Sequence, residues 1–157
     1  MQPIAEATRF PDDCLPPESD YESRHALLKA INAWAGPRGY AFVTGRSTRE
    51  KTGRLTITFT CDRFRRPPNI SQHRIRKTST RSTSCQFSIL AKQSTDGTWA
   101  MRHRQGQHFA IHNHEPSEHQ SAHPIHRALS DTDKSMIDNL VHAGVAPKDI
   151  RTYSAKL

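Results

Sequence analysis

Cysteine is scarce in this 157-residue chain, which has only Cys14, Cys61 and Cys85. An odd and low count excludes a disulfide framework and points to a reducing compartment. Long apolar runs are missing, so no segment reads as a membrane-spanning helix. No basic amphipathic helix carries aromatic anchors, so no membrane partner is expected. The opening residues Met1-Gln-Pro-Ile-Ala-Glu6 lack both the basic stretch and the apolar core of a secretory signal. Apolar residues make up only 34% of the chain and the mean hydropathy is -0.78, so the core is lean and gains from a staple such as a metal ion. Acidic residues are few where bases are many. Gly45–Arg104 holds fourteen bases and three acids, whereas Met1–Arg24 holds six acids and two bases. A cationic patch inside a chain of net charge +8 places positive charge where phosphates can run, which makes nucleic acid the leading partner class.

Residues 1–19, with four prolines, read as an irregular arm, and Cys14 within it reads as a spare thiol. From Ser19 the spacing turns helical: Ser19 or Asp20 caps, Glu22 lies in the first turn, Ala26, Leu27, Ala30, Ile31 and Trp34 share a face, and Gly36-Pro37 ends the helix. Tyr40–Thr44 alternates as a strand, and Gly45–Gly53 reads as a polar turn or loop. Arg54–Cys61 is a period-two strand with Leu55, Ile57 and Phe59 on one face. Residues 62–84 form a basic loop. Cys85–Lys92 and Thr98–His103 are two further strands around an Asp96-Gly97 turn. Residues 117–128 read as a linker. Ser130 caps a helix that ends at Gly144, and Pro147 starts another, so 129–157 reads as a helix–turn–helix cut from a longer protein.

Cys61 and Cys85 stand at strand ends, and His112-Asn-His114 follows. Two thiolates and two imidazoles make a tetrahedral zinc set that is structural and closed. The residues alone leave a second reading open, namely two buried cysteines and an exposed histidine-rich segment. They also leave His103, His108, His119, His123 and His126 as substitute ligands or surface residues.

The order of these features resembles the zinc-binding domain of the far-red impaired response family and the N-terminal domains of Mutator-like element transposases, in the WRKY–GCM superfamily. Carrying the resemblance are Trp34-Ala-Gly, Tyr40-Ala-Phe-Val, Arg46-Ser47, Cys61-Asp-Arg, Arg81 to Cys85-Gln-Phe, Asp96-Gly-Thr-Trp99 and His112-Asn-His114, spanning residues 20–116. It implies Zn2+ held by Cys61, Cys85, His112 and His114. It also implies an α+β fold with an N-terminal helix and a four- to five-stranded antiparallel sheet, followed by the short helix–turn–helix. It further implies edge-on entry of the sheet into the major groove of double-stranded DNA. The groove-reading strand maps onto Tyr40–Arg49. Its sequence is not the WRKY heptapeptide, and Phe64-Arg65 stands where the family often has a glycine pair.

Arg46, Ser47, Arg49, Lys51 and Arg54 are therefore expected at the groove, where arginine pairs bidentately with guanine. Arg63, Arg65, Arg66, Arg74, Arg76 and Lys77 are expected at phosphates. The chain is expected to serve a nuclear transposase or a transcription regulator derived from one. A zinc-stabilised protein-interaction module and a nuclease-type enzyme are the alternatives, and the C-terminal helices offer a dimerisation or partner surface. His112-Asn-His114 spells HNH, but that motif's residues are dispersed. The strand region holds only Glu50, Asp62 and Asp96 as acids, too few for a two-metal centre. The expectation is therefore no enzyme, no catalytic residue and no small-molecule substrate.

Overall fold

The computed structural model describes residues 15–66 and 80–154; the expectations placed on Cys14, Arg74, Arg76 and Lys77 lie outside them. The fold is α+β. Five antiparallel strands, β1 (Ser19–Tyr21), β2 (Phe42–Arg49), β3 (Leu55–Cys61), β4 (Ser88–Gln93) and β5 (Trp99–His103), form one sheet in the order β1-β5-β4-β3-β2. Helix α1 (Arg24–Ala35) covers its inner face. Residues up to His126 make one compact unit, and Arg127–Leu157, with α2 (Asp131–His142) and α3 (Pro147–Ser154), makes a second.

Alternation builds the core of the first unit. Ile57, Phe59 and Cys61 of β3 point inward, joined by Ile89 and Ala91 of β4 and Trp99 and Met101 of β5. Leu27, Ile31 and Ala35 of α1 close over them. A fully buried aliphatic or aromatic side chain contributes roughly 1.5–3 kcal/mol, so this small set is a lean core. The buried Asn32 joins helix to sheet: its amide oxygen accepts from the Phe42 backbone N–H at 2.8 Å, and its Nδ2 donates to the carbonyls of Phe42 and Leu28 at 3.1 Å. Every polar group of that side chain chain-links α1 to the start of β2, so its burial is compensated.

Three element boundaries differ from the sequence reading. Ser19–Tyr21 pairs with β5 instead of opening the helix, and the cap is Ser23, whose Oγ accepts from Ala26 N at 3.0 Å. Gly45–Arg49, read as turn, continues β2 along β3. Its polar side chains conceal the strand, because the segment is stabilised by pairing rather than by burial. Cys85 precedes β4 by three residues instead of starting the strand. The segment read as a linker from residue 117 is packed into the first unit as far as His126. In the second unit, Ser130 and Asp133 form a reciprocal capping box at the start of α2.

The register of β2 against β3 slips between Thr44 and Arg46, where Gly45 makes a bulge. A Cβ on Gly45 would lie 2.7 Å from Thr60 Cγ2, so the strands approach too closely there for a side chain. The extra residue reverses the alternation. Arg46 and Thr48 share the outward parity of Thr58 and Thr56, while Ser47 and Arg49 fall on the side of Ile57 and Leu55.

Candidate metal centre and basic edge

Cys61 ends β3, and Cys85 is brought beside it by the closed base of the basic loop. The N–H groups of Thr83 and Cys85 donate to the Arg63 carbonyl at 3.0 and 3.3 Å, and Ser84 N donates to the Arg65 carbonyl at 3.1 Å. Ser84 takes a left-handed backbone, φ 57°, to make this turn. His112 and His114 follow a 3₁₀ turn at Gln107–Phe109. Asn113 between them anchors the pair to the Cys85 segment: its Nδ2 donates to the Thr83 carbonyl at 2.8 Å and its Oδ1 accepts from Thr83 Oγ1 at 2.9 Å.

The four candidate ligand atoms lie within 4.8 Å of one another. Cys61 Sγ is 3.2 Å from His114 Nε2, and Cys85 Sγ is 3.5 Å from His112 Nδ1. Sulfur and nitrogen donors around one tetrahedral ion, at metal distances of roughly 2.3 and 2.0 Å, stand about 3.5 Å apart. The donor set thus fits a metal ion in chemistry and in spacing, and this cluster can hold one.

The His112 ring is clamped on both faces. Tyr40 stacks on it at 3.6 Å and 3°, and Phe87 at 3.8 Å and 20°. Burial between them holds the His112 ring below the usual histidine range, which favours the neutral, ligating form. The two thiols shift each other in opposite directions. The hydrogen bond from Cys61, with His112 beside it, lowers Cys85 to about 3, and the Cys85 thiolate together with burial raises Cys61. A cation between them would displace the Cys61 proton and release the second thiolate.

Around the cluster lies a shell that sequence reasoning missed. Asp62, its side chain only 5% exposed, lies 2.7 Å from His123 Nδ1 and takes a 3.3 Å bond from Arg81. His123 is fully buried, and its Nε2 donates to the Gly39 carbonyl at 3.0 Å. Arg81 also donates to the Ala122 carbonyl. The partners lie 61 and 84 positions from His123, so no local pattern marks the residue.

The expected DNA contacts divide. Arg46, Ser47, Arg49 and Lys51 are exposed along β2 and its turn, and among the described residues β2 is an edge strand paired only with β3. Arg65 and Arg66 are exposed at the start of the loop. Arg54 instead pairs with Glu50 at 3.6 Å. Arg63 is partly buried beside the cluster, its Nη2 donating to Ser117 Oγ at 3.1 Å and its backbone N–H to Cys61 Sγ at 3.5 Å. Its side chain is thus turned toward Ser117. Arg24 of α1, not anticipated from the sequence, reaches Thr44 Oγ1 of β2 at 3.0 Å and adds a cation to this edge.

No protein-family model matches the chain, and no solved structure matches it. Among curated proteins it is 34% identical over 143 residues to "PKS-NRPS hybrid synthetase cheA" of Chaetomium globosum. The match takes in 87% of this chain, so it includes the stretch from Cys61 to His114 wherever it begins, yet the chain spans only 3% of the synthetase's length. This finding corrects the expectation that the chain is no enzyme: what it resembles is a piece of a protein named as a synthetase. The segment concerned is small beside the whole, and no helix among the described residues is long and apolar enough to cross a membrane.

Proposed function

We propose that the chain is a zinc-stapled module of WRKY–GCM type that binds double-stranded DNA by the edge of β2. The carrying observation is the free edge strand itself. Its exposed Arg46 and Arg49, three positions apart, fall on opposite flanks by strand alternation, with the Gly45 bulge deciding which flank each takes, and the strand pairs with β3, which ends in Cys61 of the Cys2His2 cluster. A strand that enters the major groove edge-on presents both flanks to base edges, so side chains of either parity can read. Zinc fits two thiolates and two imidazoles and supplies folding free energy to a lean core. The exposed Arg65 and Arg66 stand as phosphate contacts, and the sequence reading assigns the same role to Arg74, Arg76 and Lys77, which lie outside the described residues. A nuclear role in transposition or in transcription regulation follows from this reading.

The test is selection of preferred duplexes followed by Arg46→Ala. The substitution is expected to cost about 1–3 kcal/mol on a preferred site and little on random DNA, with metal content unchanged. A uniform loss on all sequences would remove the groove assignment.

A second reading rests on the similarity to the hybrid synthetase. In it the chain serves as a metal-stapled portion of a large synthetase, and the β2 edge meets protein rather than DNA. Metal-loaded chain that binds no duplex at low salt favours this reading.

A further inference from the structure

The chain from Pro116 to His126 runs back across the metal centre after its last ligand, and its contacts fall on neighbours of the ligands. Ser117 N donates to the Gly39 carbonyl at 2.9 Å, and His123 Nε2 donates to that same oxygen at 3.0 Å. His126 Nε2 donates to the Tyr40 carbonyl at 2.8 Å, and its ring lies 3.2 Å from where a Cβ on Gly36 would be. Gly39, at φ 80°, has no room for a side chain, since a Cβ would sit 2.6 Å from the Ser117 carbonyl. The Gly39-Tyr40 backbone is thus gripped from one side, and the Tyr40 ring is the plate stacked on His112 at 3.6 Å. His123 reaches a second point with its Nδ1, the Asp62 carboxylate, next in sequence to Cys61.

We infer that His123 and His126 are positioning residues for the metal centre: the strap they anchor fixes Tyr40 against His112 and Asp62 beside Cys61, and so sets how tightly the ion is held. The inference rests on the reading of Cys61, Cys85, His112 and His114 as a zinc site. Groups that hold and orient ligands from outside the coordination shell commonly set metal affinity by factors of ten or more. Both histidines work here by donating to fixed acceptors, and neither offers an atom to the cluster. A side chain that only filled space at these positions would leave affinity unchanged when it was replaced by an apolar side chain of similar size that lacks the donor.

The experiment uses the full chain, with Zn2+ affinity measured by chelator competition and Co2+ substitution read by its visible absorption. His126→Leu and His123→Ala are expected to weaken Zn2+ binding about tenfold and to broaden the Co2+ bands. His126→Gln, which keeps a donor for the Tyr40 carbonyl, is expected to stay close to the parent. His103→Ala serves as the control, because that half-buried ring bonds the Pro16 carbonyl at 2.7 Å away from the cluster, and it is expected to leave Zn2+ affinity unchanged. Equal affinity in His126→Leu and the parent overturns the inference, as does an equal loss in His103→Ala, which would mark a general loss of stability. A parent chain that takes up neither ion overturns the metal reading and the strap's role with it.

Discussion

Cys61 and Cys85 show how much a single residue type reveals. Two cysteines and two histidines one residue apart are visible in the sequence because few other residues compete for the role, and the structure brings them within 4.8 Å. Tyr40, Phe87 and His123 were illegible as parts of the site. Aromatic residues on strands read as core, and a histidine whose partners are distant in sequence leaves no periodic trace. At this scale two outcomes are expected. Cys61→Ala removes one thiolate from a buried cluster and should abolish metal binding together with the cooperative unfolding transition. A cooperative thermal transition in Cys61→Ala would show that the core stands without the ion. Acid should act in the same direction. Burial depresses the His112 pKa, so the unfolded chain binds more protons than the folded one below the ordinary histidine value of 6.5, and stability falls as pH drops through that range. Protons also compete with the metal for the thiolates and imidazoles. Metal release followed by a chromogenic chelator should therefore rise as pH falls below about 6.5; full retention down to pH 4 would contradict it.

Elements defined by burial were legible, and those defined by pairing were not. The Leu55–Ile57–Phe59 alternation marks β3, and the Asp96-Gly97 turn separates β4 from β5, whereas β1 is three residues long and exists only through its pairing with β5. The outer half of β2 carries no apolar residue between Thr44 and Arg49 and still pairs with β3 on both sides of the Gly45 bulge. Gly45 holds the key to that ladder. Gly45→Ala places a methyl 2.7 Å from Thr60 Cγ2 and 3.1 Å from the Thr58 carbonyl, so strand or side chain must move. The expected cost is about 1–3 kcal/mol in chemical denaturation of the metal-loaded chain. Loss of the bulge would also turn Arg46 to the opposite face, so amide shifts from Thr44 to Arg49 should change together. Unchanged stability and shifts would mean that the bulge does not depend on glycine.

Across the whole molecule, charge and compactness divide the chain in the same way. The bases concentrate in Gly45–Arg104, within the unit that ends at His126, and the second unit contributes a capped helix with no buried residue in α2. If DNA binding belongs to the first unit, residues 1–126 should fold with metal, bind duplex DNA and keep the sequence preference of the full chain. The cut belongs after His126 and not at the expected boundary of 116, because removal of 117–126 strips His123 from Asp62 and His126 from Tyr40. Salt supplies an independent measure. Each phosphate neutralised releases condensed counterions, so affinity should fall steeply with ionic strength, and replacing Arg65, Arg66, Arg74 and Arg76 together should flatten that slope on every sequence alike. Residues 1–126 should show the parent slope, since the cations of the first unit remain. If 1–126 instead binds duplex with the parent slope but without preference, the helices of 129–157 read the bases and β2 supplies only charge. Metal-loaded 1–126 and full chain that both fail to bind at low salt would remove DNA as the partner and leave the β2 edge to a protein surface.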